Sequence, residues 1–570
     1  MEHKALRIAL AQINPTVGDI SSNRDKIGEY IEKARAKNAD VVIFPELAIC
    51  GYPPEDLLLK PHFIRDNVQA VRSLEAKTKS ITVICGFADI DGNGNVHNAA
   101  AVMSGGELKG VYHKKELPNY GVFDERRYFK AGRNNIVFTL GDILFGVTIC
   151  EDIWVDKGPW MDQSKSGAKV LLNISASPFH AGKTDERRKL LAGRAKETGA
   201  YIFYGNLVGG QDELVFDGGS FVVDPRGKVI ASGKEFEEDM VVVDINTEDI
   251  ICSGKKRGVG TKVRKVRLGR GESGEKGVLK NTVCPRLSRI EEIYKALVLG
   301  TGDYVRKNGF KKVVLGLSGG IDSSFTAAVA VDALGAENVI GVSMPSEYTS
   351  EGTRSDAGRT AQNLGMEFME FPIHDVFQAY LNTLAPVFKE TQAGLAEENL
   401  QARIRAGILM ALSNKFGWLV LTTGNKSETA MGYCTLYGDM AGGFAVIKDV
   451  PKTLVYELSR FLNDMKNKEI IPESVIKREP TAELRHGQKD TDSLPPYDIL
   501  DVVLKYYVEK DESFDSILKK KIDRELVKKV MNMVDKSEYK RRQSAPGVKI
   551  TPKAFGRDRR LPITNRYKSA

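Results

Sequence analysis

The stretch that most constrains this chain is Ser318-Gly319-Gly320-Ile321-Asp322-Ser323-Ser324, set between an apolar run at residues 313–317 and an Ala-rich helical run at 325–334. Paired glycines let the backbone turn tightly and aim N–H groups at an anion, and a helix N-terminus adds partial positive charge. A strand entering and a helix leaving such a turn make one unit of a parallel, doubly wound sheet, whose ligands bind beyond the carboxyl ends of the strands. Strand-like runs at 339–344, 368–372 and 418–422, with helical segments between them, continue the alternation. The Lys-Ser/Thr ending of a Walker loop is missing, so transfer of a terminal phosphoryl group is not favoured.

The first 250 residues alternate differently. Strand-like runs fall at 6–13, 41–44, 81–87, 143–149, 170–174, 201–208, 221–223 and 240–243, with helical patterns at 23–37 and 184–198. Asp91-Gly92-Asn93-Gly94 supplies hairpin chemistry, so a mixed α/β layered domain is expected. Between the halves, residues 254–280 hold seven glycines, ten Lys or Arg and two Glu, with hardly any periodic apolar positions. That composition predicts a flexible basic linker. The expected organisation is a first domain over 1–250, the linker over 251–285 and a second domain over 286–570.

The formal charge of +8 conceals an asymmetry. Residues 254–280 contribute +8, and residues 536–570, with eleven basic against two acidic side chains, contribute +9. The rest of the chain is therefore acidic, at −9. No apolar run approaches the ~20 residues that span a bilayer, and the start of the chain has no cleavable signal pattern, so a cytoplasmic location without membrane partners is expected. The six cysteines are scattered with no C-x-x-C pair, which argues against a disulfide framework or a zinc cluster.

Three residues of the first domain sit at or just beyond strand-like runs: Glu46, Lys114 and Cys150. A cysteine attacks an amide as a thiolate, and a nearby lysine and carboxylate can supply the field and the proton traffic. The runs Phe44-Pro45-Glu46-Leu47, Lys114-x-x-Leu117-Pro118 and Cys150-Glu151-Asp152-x-Trp154 resemble, in order, the Glu, Lys and Cys signatures of the nitrilase family. Spacing to Leu117-Pro118 favours Lys114 over Lys115. The resemblance implies an α-β-β-α sandwich with Cys150 as nucleophile, Glu46 as general base and acid, Lys114 as oxyanion stabiliser and Glu125 positioning Lys114. Tyr120, Ser177 and Lys183 resemble the glutamine contacts of the amidotransferase branch.

The Ser318 motif looks like the pyrophosphatase loop of enzymes that split ATP between the α and β phosphates. Glu398-Asn399-Leu400-Gln401-Ala402-Arg403-Ile404-Arg405, Thr422-Thr423-Gly424-Asn425-Lys426-Ser427-Glu428, Tyr437-Gly438-Asp439 and Tyr539-Lys540-Arg541 resemble, within that group, the NAD synthetases. The resemblance implies that Gly316, Leu317, Ser318, Gly319, Gly320, Ile321, Asp322, Ser323, Thr423 and Lys452 bind ATP. It further implies that Asn399, Arg403, Glu428, Asp439 and Lys540 bind deamido-NAD. Asp322 and Glu428 are hard oxygen ligands suited to Mg²⁺.

Together the halves resemble the glutamine-dependent NAD synthetase family, in which ammonia from glutamine attacks an adenylated nicotinate carboxylate. The expectations are ATP as co-substrate, Mg²⁺, no prosthetic group, small-molecule substrates, no nucleic-acid partner, a closed ammonia path and a homo-oligomer, dimeric or larger.

Overall fold

The computed structural model describes residues 5–252, 263–269, 276–277, 279–567 and 569. The chain divides into two compact units, one of Met1–Gln211 with Val215–Leu287, the other of Asp212–Leu214 with Ser288–Ala570.

The first unit is built on two sheets. One runs in the order Asp239–Asn246, Ala5–Gln12, Val41–Ile43, Thr82–Ile90, Val96–Ser104, Glu107–His113. The other runs Val229–Ser232, Phe221–Val223, Tyr201–Asn206, Val170–Ser175, Ile143–Ile149, Asn135–Leu140, Val263–Arg267. Strand side chains alternate between faces, and this alternation builds three apolar layers. Ile8 and Leu10 point into a shared core with Val102, Phe138, Val147, Leu172 and Phe203, which glues sheet to sheet. Ala9 and Ala11 point the other way, onto the helices Ile20–Ala36 and Pro61–Leu74 through Ile27, Ile31 and Val71. Leu171, Ile202 and Tyr204 meet Trp160, Leu191 and Ala195 of the helices Pro159–Lys165 and Lys183–Thr198. The result is the expected α-β-β-α sandwich. Because both faces of each sheet are covered, the strands read as apolar runs rather than as clean alternation.

The hairpin at Asp91 forms as its residues require. Asp91 accepts from the amides of Asn93 and Asn95 at 2.9 Å each, and Gly94 takes φ +81°. The strands at 96–104, 107–113 and 135–140 are additions to the sequence reading. His97-Asn98-Ala99-Ala100-Ala101 looks helical by propensity, yet each of these alanines is fully buried in a strand.

The linker is corrected in part. Residues 253–262, 270–275 and 278 lie outside the described residues, but Val263–Arg267 is an edge strand parallel to Asn135–Leu140. Val266 and Leu268 reach the inter-sheet core, while Arg264, Lys265 and Arg267 stay exposed. An edge strand needs one hydrogen-bonded neighbour only and tolerates charge, so few apolar residues suffice and the sequence shows no period. Further on, the Lys276 ammonium binds the Ala5 carbonyl at 3.0 Å and Asp40 at 2.5 Å.

The second unit carries a five-stranded parallel sheet in the order Glu367–Glu370, Val339–Ser343, Val313–Gly316, Leu419–Thr422, Phe444–Ala445. Strand order reverses at Val313–Gly316, the switch point where a crevice must open. The next helix, Ile321–Leu334, is covered almost all round, with Phe325, Ala327 and Val329 fully buried. Arg289–Lys307 opens with a Ser288/Glu291 capping box. A helical cluster of Leu500, Val503, Val527, Val530 and Val534 packs on Ala430 and Met431. Among the described residues no helix is long and apolar enough to cross a membrane.

Candidate functional site

In the first unit the strands aim three side chains at one buried point. Glu46 follows Val41–Ile43 in a turn that lies on bare backbone of the neighbouring strand. A Cβ at Gly86 would sit 2.3 Å from the Pro45 carbonyl oxygen and 2.4 Å from the Leu47 nitrogen, so only glycine fits there. Lys114 follows Glu107–His113, its amide donating to the Asn98 carbonyl at 2.8 Å. Cys150 opens the single turn Cys150–Ile153 after Ile143–Ile149, at φ +42°. Left-handed backbone at a non-glycine residue costs about 1–3 kcal/mol, and the surrounding structure has to hold it.

The Lys114 ammonium donates to Glu46 Oε1 at 2.7 Å and to Glu125 Oε1 at 2.8 Å. Asn98 Nδ2 donates to Glu46 Oε1 at 2.7 Å and the Ala176 amide to Glu46 Oε2 at 2.8 Å, while Tyr52 donates to Glu125 Oε1 at 3.0 Å. Burial opposes the lysine charge, but Glu125 and Glu46 outweigh it and hold its pKa well above the ordinary value. Glu125 moves up to about 7, through burial first and then the Glu46 charge, against the pull of Lys114. Burial and the Glu46 carboxylate also raise the Cys150 thiol, and Lys114 does not offset them. The Cys150 thiol is thus held toward its neutral form, and the thiolate that attacks an amide has to be made by a base. Its proton leaves only as a base takes it during attack.

The turn from Cys150 to Trp154 touches several of the other candidates. Glu151 accepts from the Tyr120 hydroxyl at 2.9 Å, and Lys183 Nζ lies 4.2 Å from the Trp154 ring centroid while pairing with Glu186 at 2.9 Å. Tyr120 is exposed. Ser177 is drawn in differently: its hydroxyl accepts from Arg187 Nε at 3.2 Å, and Arg187 makes a buried ion pair with Asp217.

Asp152, a residue given no role in the sequence reading, ties the turn together. Its fully buried carboxylate accepts from the amide of Ile149 (3.0 Å), the hydroxyl of Tyr112 (2.8 Å) and the amides of Lys115 (3.1 Å) and Glu116 (2.9 Å). One side chain therefore fixes the chain just before Cys150 to the chain just after Lys114. Burial pushes its pKa up to about 6. Asn98 and Tyr52 were likewise missed, since neither lies in a run with a chemical pattern.

In the second unit the loop after Val313–Gly316 closes on itself. The Ser318 and Ser323 hydroxyls lie 3.0 Å apart, the Gly320 amide donates to Ser318 Oγ at 3.2 Å, and Ser323 Oγ donates to the Gly320 carbonyl at 3.0 Å. Gly320 caps the helix Ile321–Leu334 with no side-chain acceptor, which leaves its first N–H groups to an anion.

Beside the loop lies a cavity of about 730 Å³. Its lining includes Gly316, Leu317, Ser318 and Thr423 of the ATP candidates and Asn399, Arg403, Asp439 and Lys540 of the deamido-NAD candidates. These last four converge on residues 432–439: Lys540 Nζ donates to the carbonyls of Gly432 (2.7 Å) and Cys434 (2.8 Å), and Arg403 to that of Leu436 (3.2 Å). Thr435 donates its hydroxyl to Asn399 Oδ1 (2.7 Å) and its amide to Asp439 (2.5 Å). Arg405 also lines the cavity, and its Nε donates to the Met344 carbonyl at 3.0 Å. Burial lowers its pKa to about 10, with Glu483 acting against it, so an anion arriving here gains a poorly solvated cation.

Gly319, Gly320, Ile321, Asp322, Ser323, Glu428 and Lys452 do not line the cavity. Within this group the Lys452 ammonium binds Asp322 and lies 3.4 Å from Glu428 Oε1, and Asn425 donates to Asp322 Oδ1 at 3.0 Å. Burial pushes Glu428 up to about 8 against the pull of Lys452. Two carboxylates converging on one cation suit Mg²⁺, which takes one or two protein carboxylates and completes its shell with water and phosphate oxygens.

Residues 7–252 match the Carbon-nitrogen hydrolase family and residues 293–544 match NAD synthase. The chain is 51% identical to the glutamine-dependent NAD(+) synthetase of Thermotoga maritima, with 99% of each chain covered, and 46% identical to that of Aquifex aeolicus, with 99% and 100% covered. Among solved structures, the glutamine-dependent NAD+ synthetase of Acinetobacter baumannii in complex with ADP matches at TM-score 0.76 and 42% identity, over 100% of both chains. That of Cytophaga hutchinsonii matches in fold at TM-score 0.82 and 24% identity, over 99% and 98%.

Proposed function

This chain belongs to the glutamine-dependent NAD(+) synthetases, and from that premise we propose how its residues divide the reaction. The enzyme is a carbon–nitrogen ligase: it adenylates deamido-NAD with ATP and amidates the adenylate with ammonia from glutamine, giving NAD, AMP, pyrophosphate and glutamate.

Cys150 attacks the γ-amide carbonyl carbon of glutamine while its thiol proton passes to Glu46. The proton then goes from Glu46 to the departing nitrogen, so that ammonia leaves and a thioester stays on Cys150. Lys114 stabilises the tetrahedral oxyanion, and Glu125 keeps the ammonium in place. Water deprotonated by Glu46 releases glutamate. Tyr120, Ser177 and Lys183 hold the amino-acid end of glutamine. The observation that carries this reading is the buried Lys114 ammonium shared between Glu46 and Glu125 beside a strained Cys150.

In the ligase unit Ser318, Gly319, Gly320, Ile321 and Ser323 cradle the phosphates of ATP, with Gly316, Leu317 and Thr423 beside them. Asn399, Arg403, Asp439 and Lys540 hold deamido-NAD. Asp322 and Glu428 would hold Mg²⁺, which would supply charge neutralisation to the phosphates when bound, and Lys452 adds its cation to the phosphates. Ammonia in open water is mostly protonated and lost, so a closed path to the adenylate fits the need to exclude water. A homo-oligomer through the ligase unit is supported by exposed Val376, Tyr380, Val387, Met410 and Phe416 on the helices His374–Phe388 and Leu395–Phe416. Sedimentation should report more than one copy per particle.

The decisive experiment supplies ATP, glutamine and deamido-NAD and follows products. AMP, glutamate and NAD should appear in equal amounts, and ADP as the nucleotide product would sink the adenylation step.

A further inference from the structure

Behind the phosphate loop stands an ion cluster that the reaction as described leaves unused. Asp356, on the helix Glu351–Leu364, is 3% exposed. Its carboxylate accepts from Ser474 Oγ at 2.7 Å, from Arg359 Nη1 at 3.2 Å and, on the other oxygen, from Arg478 Nη2. The second terminal nitrogen of Arg478 donates to the carbonyl of Gly319 at 3.2 Å. The N–H of that same peptide, on Gly320, is the one that donates to Ser318 Oγ.

A peptide carries its carbonyl and its N–H on opposite edges of one plane. The Gly319–Gly320 peptide is therefore pinned at both edges, by a cation on the carbonyl and a hydroxyl on the N–H. Two glycines in succession give this peptide more freedom to rotate than any other in the loop. A rotation would swing a carbonyl oxygen toward the place where phosphate oxygens gather. The same helix that supplies Asp356 also presses on Gly319 one turn earlier: Gly319 has φ +83°, and a Cβ there would lie 2.0 Å from the Thr353 carbonyl oxygen. A side chain is thus excluded from this position, and the freedom glycine brings has to be removed by other means.

We propose that Arg478, oriented by Asp356, is a positioning residue for the ATP half of the reaction, acting through Gly319 by holding the loop carbonyl away from the departing pyrophosphate. It does not touch substrate. The inference rests on assigning this loop to ATP.

Full-length enzyme carries the test. Exchange of labelled pyrophosphate into ATP, with deamido-NAD and Mg²⁺ but no nitrogen source, reads the adenylation step, and glutamine hydrolysis reads the integrity of the other unit. Small misplacements of reacting groups cost up to about a hundredfold, so Arg478→Met should lower the exchange kcat by about tenfold to a hundredfold. The KM for ATP should move by less than about threefold, because the loop acts on charge that develops during cleavage. Arg478→Lys should recover most of the loss, since an ammonium can still donate to Gly319, and Asp356→Asn should fall between. Unchanged exchange in Arg478→Met, a lysine variant as poor as the methionine one, or a loss carried wholly in KM would each overturn the proposal. So would a proportional fall in glutamine hydrolysis, which marks a general folding defect. If wild-type enzyme shows no exchange at all, the ATP assignment itself fails and takes the inference with it.

Discussion

Each unit holds a lysine between two carboxylates, and the two clusters differ in what encloses them. Lys114, Glu46 and Glu125 have side chains 1%, 0% and 5% exposed, and Asn98, the Ala176 amide and Tyr52 add three further donors, with Glu125 Oε2 buried and left without one. Around Lys452, the side chains of Asp322 and Glu428 keep 17% and 19% exposure, and Asp322 has one further donor in Asn425. A cluster closed by the protein's own donors is a preset field for acyl chemistry on a small amide. A cluster left half open retains lone pairs for a metal ion and room for phosphates. Both set one ammonium against two carboxylates, and the enclosure and hydrogen-bond complement make the difference.

The largest effect should come from the nucleophile. Cys150→Ala should reduce glutamine-driven NAD formation by more than about a thousandfold while ammonia-driven formation stays within about twofold, measured with each nitrogen source at saturation. Loss of both activities would break the division between units. Removing the lysines compares the clusters directly. Lys114→Met leaves two buried carboxylates without a counter-ion, which costs about 3–5 kcal/mol, whereas Lys452→Met leaves carboxylates that solvent or a cation can reach and should cost clearly less. Denaturant unfolding of the two variants checks the order, and equal losses would erase the contrast.

Acidity sharpens it further. A carboxylate binds a metal in its ionised form and burial pushes Glu428 up to about 8, so with Glu428 as a proposed ligand the Mg²⁺ needed for half-maximal AMP formation should fall as pH rises from 6.5 toward 8, by at most about tenfold per pH unit. Glu428→Gln should flatten that dependence. Glu125 reports on stability. Its folded pKa, about 7, lies above the unfolded value of about 4.3, so the folded state binds more protons between those limits. Its contribution to stability is complete below about 4.3 and declines as pH rises toward 7. Urea midpoints across that range should show the decline, and it should vanish in Glu125→Gln.

Much of the architecture was legible in the chain. The strand runs around Glu46, Cys150 and the Ser318 loop lie within a residue or two of the observed strands, because each is apolar, β-branched and bounded by a turn. The strands carrying Asn98 and the 263–267 segment were not legible. An alanine run has little β preference of its own and becomes a strand only where neighbouring strands bury it. A charged edge strand owes its place to a single neighbour. Within the sites, Asp152 and Arg405 sit inside motifs legible in the sequence, yet their parts, like that of Arg478, were not, since each acts on groups distant in the chain or on backbone atoms.

By itself the sequence determined the fold class of each half, the order of the chemical groups and the tight Gly319-Gly320 turn, because these depend on local preference and on residue type. Tertiary structure alone decided that burial raises the Cys150 thiol, that Asp152 fastens its turn to Lys114, and that one lysine–carboxylate cluster is buried while the other stays partly open. Those properties are set by burial and by hydrogen bonds between distant segments. Both depend on which groups the folded chain brings together and how much water it leaves between them.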